Sequence, residues 1–346
     1  MTLCEASHMK LKHSLGASQP SWQWPPGPNV ASSKPSANLP IMTPPVTRTL
    51  AGATARTRLR IWVAAMRPHH WSKNLLVFMP LVLDHSWAEL SLLAKVAMGF
   101  VLIVAAASAT YLFNDIVDLK ADQRHPSKRF RPVAAETITV RAALWTAGTV
   151  AAVALGLAFM LDFVFALTLS GYLALSLCYS LWLKRIRFLN TLTIAVFLSS
   201  RLVMGGALVG TAPSAWLLVY AILFFFSLAS AKHYIEALSV PADDADYRLR
   251  YNLSDAPVVL SLGALAGALS VLVLGSYLVE GEFETVGYTR PQFLCGAVAV
   301  IAFWTSRIWW LAYGDSVHED PVHFVLSDWL SWLCAFIVGL FFFAAL

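Results

Sequence analysis

The chain has 346 residues, of which 58% are hydrophobic and 13% are charged. Soluble domains carry about 25% charged residues, and here the apolar residues form long runs. The composition therefore excludes an ordinary soluble domain and indicates a membrane protein. The formal net charge of +5 gives no reason to expect a nucleic-acid partner. Four scattered cysteines without a C-x-x-C pair argue against a zinc site.

Residues 1–58 form a tail that differs from the rest of the chain. The tail is rich in Pro, Ser, Thr, Ala and Gly and shows neither helical nor strand periodicity. It also lacks the apolar core of a signal peptide. We expect a disordered tail over 1–58, followed by one membrane-embedded domain over 59–346. A start codon assigned too early would explain the tail equally well.

Long apolar segments alternate with polar loops in the rest of the chain. An amphipathic stretch at 59–66 is predicted to lie along the membrane surface. Nine apolar segments follow, most of them with the 17–25 residues that cross about 30 Å of hydrocarbon. They lie at about 74–88, 91–113, 140–160, 163–183, 188–210, 214–232, 257–279, 292–312 and 328–346. The predicted fold is all-α, a polytopic membrane bundle of about nine transmembrane helices.

Basic residues lie on one side of this predicted topology. With the amino terminus in the cytoplasm, the inner loops are about 114–139, 184–187, 233–256 and 313–327, and they hold ten Lys and Arg residues. The outer loops hold a single basic residue, Arg290. This distribution follows the positive-inside rule. We therefore expect the large polar loops, and any charged soluble substrate, at the cytoplasmic face.

Acidic residues mark the end of the second apolar segment. Asn114, Asp118 and Asp122 are spaced by four, so a continuing helix would place them on one face, with Asp115 one position round. Adjacent carboxylates repel one another unless a cation joins them. Mg²⁺ prefers such oxygen ligands and shares its remaining positions with phosphates and water. These four residues are the predicted Mg²⁺ ligands, and the three aspartates are also predicted to be catalytic.

A basic stretch follows the acidic residues in the same loop. Lys128 and Arg131 are predicted catalytic contacts to the phosphates of a donor substrate, because Lys and Arg both donate hydrogen bonds to phosphate oxygens. Arg124 and His125 are weaker candidates, and Arg129 would serve equally well as a lipid-headgroup anchor. The alternative is a solvated loop in which acids and bases only pair with one another.

Four motifs resemble, in order, those of the UbiA superfamily of intramembrane prenyltransferases. Residues 114–134 read N-D-x-x-D-x-x-x-D-x-x-H-P-x-K-x-x-R-P-x-A, similar to its first aspartate motif. Residues 67–74 resemble the R-P-x-x-W-x-K-N signature of the branch typified by decaprenyl-phosphate phosphoribosyltransferase. Residues 179–184 resemble its Y-S-x-x-L-K motif and 232–236 its K-R-x-x-E motif. The resemblance covers about residues 60–346.

The second motif bears on the substrate. Ordinary members of the superfamily bind a prenyl diphosphate through two Asp-rich motifs, but residues 232–246 contain no D-x-x-x-D. The resemblance implies a Mg²⁺-bound 5-phosphoribosyl 1-pyrophosphate as donor and a polyprenyl phosphate as acceptor. The product would be a lipid-linked pentose precursor for an envelope polysaccharide or a secreted glycoconjugate. The expected location is the inner membrane of a bacterium, with the active site facing the cytoplasm.

Substrate-binding roles follow for residues near the first motif and inside the bundle. The resemblance assigns Lys73, with Arg67 and Asn74, to the acceptor phosphate, although a lysine at this boundary also snorkels to headgroups. Arg201 lies near the middle of an apolar segment, where a charge is costly and usually functional. We expect it to face a cavity and to pair with a phosphate or a carboxylate.

Further substrate-binding candidates lie at the cytoplasmic ends of later segments. Tyr179 and Lys184 match the family's site, although a tyrosine at a membrane interface is ordinarily an anchor. Lys232 and Glu236 would close the donor site opposite Asp115, or form a plain helix pair. The last two alternatives stay open on the sequence alone.

Three positions depart from the family pattern. Asn190 stands where Asp is common, His233 replaces the usual Arg, and Glu136 replaces a Gly. These departures make the substrate less certain than the fold. Two alternatives stay open: a prenyltransferase that uses a prenyl diphosphate and an aromatic acceptor, against which the second motif argues, and a non-enzymatic membrane transporter. A transporter should place its charges near the middle of the membrane, whereas most charges here lie at one face. Assembly into a homo-oligomer also stays open.

Overall fold

The computed structural model describes residues 54–125, 127–239, 253–279, 288–314 and 328–346. Within these ranges the regular elements are all helical, which confirms the all-α class. The first helix, α1 (Ala55–Ala65), begins after Thr54, whose side chain accepts a hydrogen bond from the N–H of Thr57, a common helix cap. The tail predicted over 1–58 lies outside the described residues up to position 53.

The long helices follow the predicted apolar segments. In chain order, the helices after α1 are α2 (Met79–Leu83), α3 (Leu90–Val117), α4 (Leu119–Arg124), α5 (Val140–Leu161), α6 (Phe163–Leu181), α7 (Arg187–Val209), α8 (Ala215–Ser239), α9 (Ala256–Val279), α10 (Leu294–Tyr313) and α11 (Trp329–Ala345). In the described part of the chain, seven helices are long and apolar enough to cross a membrane, and α11 is a shorter apolar helix. The predicted count of nine spans is therefore not confirmed.

The first predicted span, about 74–88, is not a continuous α-helix. The chain here forms a 3-10 helix over Pro68–Phe78, then α2, and then a second 3-10 helix over Ser86–Ala88. Pro80 lies in the first turn of α2, where its missing N–H prevents an α-helix from running through from the preceding segment. His85 has a φ of +56°, which ends α2. The segment is apolar, but Pro80 and the left-handed backbone of His85 interrupt its helix.

The core is shared by helices that are neighbours in sequence. α3 packs against α5, α6 and α7, around buried Ile103, Phe165, Leu169 and Met204. A second cluster joins α8, α9 and α10 around Trp309. On the outside, large apolar side chains remain uncovered, with Met160 85% and Trp145 73% exposed. Such a surface is stable against lipid tails and not against water, so this is an integral membrane protein.

Gly205 in α7 allows the 3-10 helix Pro68–Phe78 to pack closely against α7. A Cβ at this position would collide with the carbonyl oxygen of Val77, so only glycine permits this close approach. The approach places Asn74 beside Arg201 of α7, with 3.2 Å between Asn74 Oδ1 and Arg201 Nε. One end of this 3-10 helix is thereby fixed beside α7.

Candidate active site

A buried carboxylate lies at the end of α3. Asp115 is 2% exposed and forms ion pairs with the guanidinium groups of Arg67 and Arg131, the latter at 3.3 Å. Arg67 also lies over the ring of Tyr111, 5.3 Å from its centroid. The φ of Arg67 is +52°, a left-handed conformation that is strained for a residue with a side chain and is typical of functional sites.

Arg131 joins two of the predicted metal ligands. Its Nη1 atom lies 2.6 Å from Oδ2 of Asp122 as well as 3.3 Å from Oδ1 of Asp115. Asp122 is buried on α4, which begins directly after Asp118 ends α3. The loop that follows α4 thus brings Arg131 back against the end of α3 and against α4.

Lys184 joins the other two predicted ligands. It lies in the short 3-10 helix Leu183–Arg185 after α6, and its Nζ donates to Oδ1 of Asn114 at 3.1 Å and to Oδ1 of Asp118 at 2.5 Å. Asn114 in turn donates to Oδ2 of Asp118 at 3.1 Å, as expected for two residues on one face. The predicted third member of this face, Asp122, lies instead on α4 and is joined through Arg131 to Asp115, because α3 ends at Val117. The four oxygen-bearing residues thus form two pairs, each held by its own cation.

The donor set suits a magnesium ion, although its oxygens do not converge on one point. Among the described residues, no group of three or more His, Cys, Asp or Glu is arranged around a possible metal position. Mg²⁺ in phosphate sites uses one or two carboxylates and completes its shell with phosphate oxygens and water. Asp115 with Asp122 supplies two such carboxylates, and Asp118 with the amide of Asn114 supplies a carboxylate and a neutral oxygen. The chemistry of these residues therefore fits the ion.

A group of basic side chains surrounds His70. Its ring centroid lies 4.1 Å from that of His69 and 5.5 Å from that of Tyr111. Burial, together with the charges of Lys73, His69, Arg67 and Lys232, lowers the pKa of His70 to about 3. The charges of the predicted acceptor-site residues Arg67 and Lys73 thus act on the same imidazole ring as the charge of Lys232 on α8. His70 itself was missed by the sequence analysis, although it lies between Arg67 and Lys73.

Arg201 is buried in the bundle with neutral partners. It is 4% exposed, and it donates to Asn74 Oδ1 at 3.2 Å, to Tyr172 Oη at 3.3 Å, to Ser200 Oγ at 3.3 Å and to the carbonyl oxygen of Phe197. Its guanidinium also lies over the Tyr172 ring, 4.6 Å from the centroid. In the part of the chain that the structure describes, the expected carboxylate partner is not there. Among the described residues, no acid lies beside Arg201 to balance its positive charge.

A chain of hydrogen bonds connects α6, α7 and α8. Tyr179 Oη donates to Asn190 Oδ1 at 2.9 Å, Asn190 Nδ2 lies 3.2 Å from His233 Nε2, and His233 Nδ1 lies 3.1 Å from Glu236 Oε2. Lys232 Nζ is 3.9 Å from Glu236 Oε1. Three predicted site residues are thus brought together through two residues that the sequence analysis noted only as departures.

Other predicted residues lie at the edge of this region. Arg124 is exposed in the last turn of α4. Lys128 begins a short 3-10 helix, and its backbone N–H donates to Nδ1 of His125 at 3.2 Å. Arg129 is exposed and lies over the exposed ring of Phe130, 4.8 Å from its centroid. Asp243, Asp244 and Asp246, the acids that follow the second motif, lie outside the described residues.

The fold and the site together define a class: a polytopic helical membrane protein with buried carboxylates and fixed cations at one end of its bundle. The profile of the UbiA prenyltransferase family matches residues 75–327, and the chain belongs to this family. It is therefore a transferase, and the alternative of a non-enzymatic transporter is not supported.

Relatives of known sequence carry different names. Nodulation protein NoeC of Azorhizobium caulinodans is 30% identical over 83% of this chain and 92% of its own length. Decaprenyl-phosphate phosphoribosyltransferase of Mycobacterium tuberculosis is 32% identical over 70% of this chain and 79% of its own length. Uncharacterized protein y4nM of Sinorhizobium fredii is 36% identical over 80% of this chain. The match spans only 54% of the length of y4nM.

Solved structures confirm the fold. A UbiA homolog from Archaeoglobus fulgidus bound to DMAPP and Mg²⁺ superposes with a TM-score of 0.60 at 14% identity, covering 81% of this chain and 96% of that one. A digeranylgeranylglyceryl phosphate synthase superposes with a TM-score of 0.61 at 12% identity, covering 84% and 98% of the two chains. At this level of identity the likeness concerns architecture alone.

Proposed function

We propose that the protein transfers the 5-phosphoribosyl group of 5-phosphoribosyl 1-pyrophosphate to a polyprenyl phosphate and releases pyrophosphate. The observation that carries the proposal is the alternation of carboxylates and cations at the end of α3, where Arg131 joins Asp115 to Asp122 and Lys184 joins Asn114 to Asp118. Relatives named decaprenyl-phosphate phosphoribosyltransferase at 32–34% identity support the choice of donor and acceptor.

The proposed reaction is a displacement at the anomeric carbon. An oxygen of the acceptor phosphate forms a bond to C1 of the ribose, while the bond from C1 to the pyrophosphate oxygen breaks and its electron pair leaves with pyrophosphate. The attacking phosphate is already anionic near neutral pH, so no general base is required. The protein has to position two anions and to stabilise the charge that grows on the leaving group.

The acidic residues would hold the metal of the donor complex. Asp115, Asp118 and Asp122, with the amide of Asn114, would be its ligands. Bound Mg²⁺ supplies charge neutralisation to the leaving pyrophosphate. Arg131 and Lys184 already lie against these carboxylates, where they would donate to pyrophosphate oxygens, with Lys128 beside them. The buried position of Asp115 keeps this charge pattern in a water-poor site, in which electrostatic stabilisation is stronger.

The acceptor phosphate is assigned to the basic group around His70. Arg67 and Lys73 both act electrostatically on this ring, and Arg201 holds Asn74, the residue after Lys73. The charge of Arg201, which has no acidic partner in the described ranges, adds a positive potential from inside the bundle. Because the acceptor carries a long apolar chain, its phosphate would enter from the lipid while the soluble donor enters from the polar end.

The remaining predicted residues complete the assignment. Glu236 and Lys232 would close the donor side, and Tyr179 and Lys184 come from the adjacent end of α6. Arg124, at the exposed edge, would contact the donor only as it enters. The basic loops at this end of the bundle support a cytoplasmic active site in a bacterial inner membrane.

The test uses the purified full chain in detergent with Mg²⁺, a polyprenyl phosphate and radiolabelled phosphoribosyl pyrophosphate. We expect label to move into the organic phase, and to require both Mg²⁺ and the lipid. Transfer from a labelled prenyl diphosphate to an aromatic acid, without transfer of phosphoribose, would replace this proposal with the prenyltransferase alternative.

A further inference from the structure

The hydrogen-bonded chain from Tyr179 to Glu236 has a defined direction. An amide group has one accepting atom and one donating atom. Oδ1 of Asn190 accepts from the hydroxyl of Tyr179 at 2.9 Å, so its Nδ2 faces Nε2 of His233 at 3.2 Å. Since Nδ2 can only donate, Nε2 has to be the unprotonated nitrogen of the ring.

The other ring nitrogen therefore carries the proton. Nδ1 of His233 lies 3.1 Å from the carboxylate of Glu236, and an N–H there donates to it. The imidazole is then neutral, with its tautomer set by two neighbours, as is common for functional histidines. Each hydrogen bond in the chain points from Tyr179 towards Glu236.

Burial makes this chain rigid. Asn190 and His233 are each 4% exposed, so their polar atoms have no access to bulk water as an alternative partner, and a mismatched hydrogen bond there is costly. By contrast, the side chain of Glu236 is 41% exposed. The chain thus runs from a buried centre to side chains at the edges of the proposed active site.

We propose that Asn190 and His233 are positioning residues that fix Tyr179 and Glu236, and that position 233 has to present a hydrogen-bond acceptor as long as position 190 is Asn. This inference rests on the proposed function for its effect on catalysis. Tyr179 is on the helix that delivers Lys184 to Asp118, and Glu236 is one turn from Lys232. A shift of either side chain would displace cations that bind the two anionic substrates.

Substitutions at position 233 separate this role from simple packing. His233→Gln keeps an acceptor for Asn190 and a donor for Glu236, whereas His233→Lys offers only donors and opposes two donors across the 3.2 Å contact. We expect His233→Gln to stay within about three-fold of wild-type kcat/KM for the donor and His233→Lys to lose at least about ten-fold. Asn190→Asp together with His233→Lys restores an acceptor, so the double variant should recover most of the loss.

The melting temperature is followed for every variant, with Ser261→Ala, an exposed helix position, as control. Equal activity of His233→Gln and His233→Lys would overturn the proposal. So would a double variant whose loss of activity equals the product of the losses measured for Asn190→Asp and His233→Lys separately. A parallel fall in melting temperature and activity across all variants would also overturn it, because this indicates packing alone.

An independent measurement keeps this inference separate from the transfer reaction. Nitrogen-15 NMR of the histidine-labelled full chain in detergent reports the tautomer, and the signal that disappears in His233→Gln identifies the residue. We expect a protonated Nδ1 and an unprotonated Nε2 near neutral pH. A protonated Nε2 would contradict the proposed direction of the hydrogen bonds from Tyr179 to Glu236, whichever group the enzyme transfers. Absence of phosphoribosyl transfer by the wild type would overturn only the proposed function. The tautomer of His233 would still decide whether the inference about Asn190 and His233 holds.

Discussion

Arg131 lies 2.6 Å from Asp122, and this contact ties the loop after α4 to the end of the acidic segment. The same Nη1 atom reaches Asp115, so one guanidinium spans two helices. Here negative carboxylates alternate with a positive guanidinium. A divalent cation bound to an anionic pyrophosphate would continue the same alternation of positive and negative charges.

Asp115→Asn and Asp118→Asn should each lower kcat by at least about 100-fold, because each removes a carboxylate from a site that works by electrostatics. Phosphoribosyl transfer measures the loss, and size-exclusion chromatography checks the fold. Asp162→Asn is the matched control, since Asp162 pairs with Lys95 at the other end of α3. It should retain activity within about two-fold. Normal turnover by Asp115→Asn or Asp118→Asn would remove the metal assignment.

Mg²⁺ and phosphoribosyl pyrophosphate should stabilise the protein together more than the sum of their separate effects. Each ligand completes the site of the other, and binding to the folded state alone raises its stability by mass action. Thermal unfolding in detergent, with each ligand alone and with both, measures this. The synergy should persist in Asp162→Asn and disappear in Asp118→Asn. Simple additivity in the wild type would contradict a shared site.

Arg201→Met should destabilise the bundle. The substitution leaves Oδ1 of buried Asn74 without its guanidinium donor, and an unpaired buried polar group costs about 1–3 kcal/mol. Chemical unfolding in detergent measures the change, with the exposed Arg141→Met as the control, expected within about 0.5 kcal/mol of wild type. Because replacing both partners is less costly than replacing one, Asn74→Leu with Arg201→Met should recover part of the loss. An additive double variant would mean that the two residues are not coupled.

Glu136→Gly should stabilise the protein. Glu136 is exposed and has a φ of +57°, a left-handed conformation that costs a residue with a Cβ about 1 kcal/mol relative to glycine. This conformation also explains why a glycine would be usual at this position. The melting temperature should rise, whereas Glu136→Ala, which keeps the Cβ, should bring no gain. Equal effects of Gly and Ala would point to the lost charge instead of the backbone.

The contribution of Asp162 to stability should be lost at acid pH. Burial tends to raise its pKa, but the N–H of Phe165 and the ammonium of Lys95 outweigh this and hold the pKa below its ordinary value. A lowered folded-state pKa contributes stability above the unfolded pKa of about 4, and this contribution is lost as the pH falls through the folded value. Melting temperatures of the wild type and Asp162→Asn should therefore differ near neutral pH and converge in acid. A constant difference would contradict the assignment.

Much of this architecture follows from local sequence. A helix that crosses a membrane has to satisfy its backbone internally and present apolar side chains to lipid, so runs such as 140–160 and 188–210 identify α5 and α7 directly. The spacing of Asn114 and Asp118 likewise placed both side chains on one face. The segment at 74–88 was less well predicted, because Pro80 and the positive φ of His85 break a helix that composition alone would continue.

Pairings between distant residues were decided by the tertiary structure. Sequence indicated that Arg201 was functional but not that Asn74 and Tyr172 would be its partners, and it gave no contact between Lys184 and Asp118. Asn190 and His233 each looked like an isolated departure until the packing of α7 against α8 brought them within 3.2 Å. Periodicity along the chain reports which face of a helix is buried. Which side chains meet across that face depends on how the helices pack, and neither helix encodes this alone.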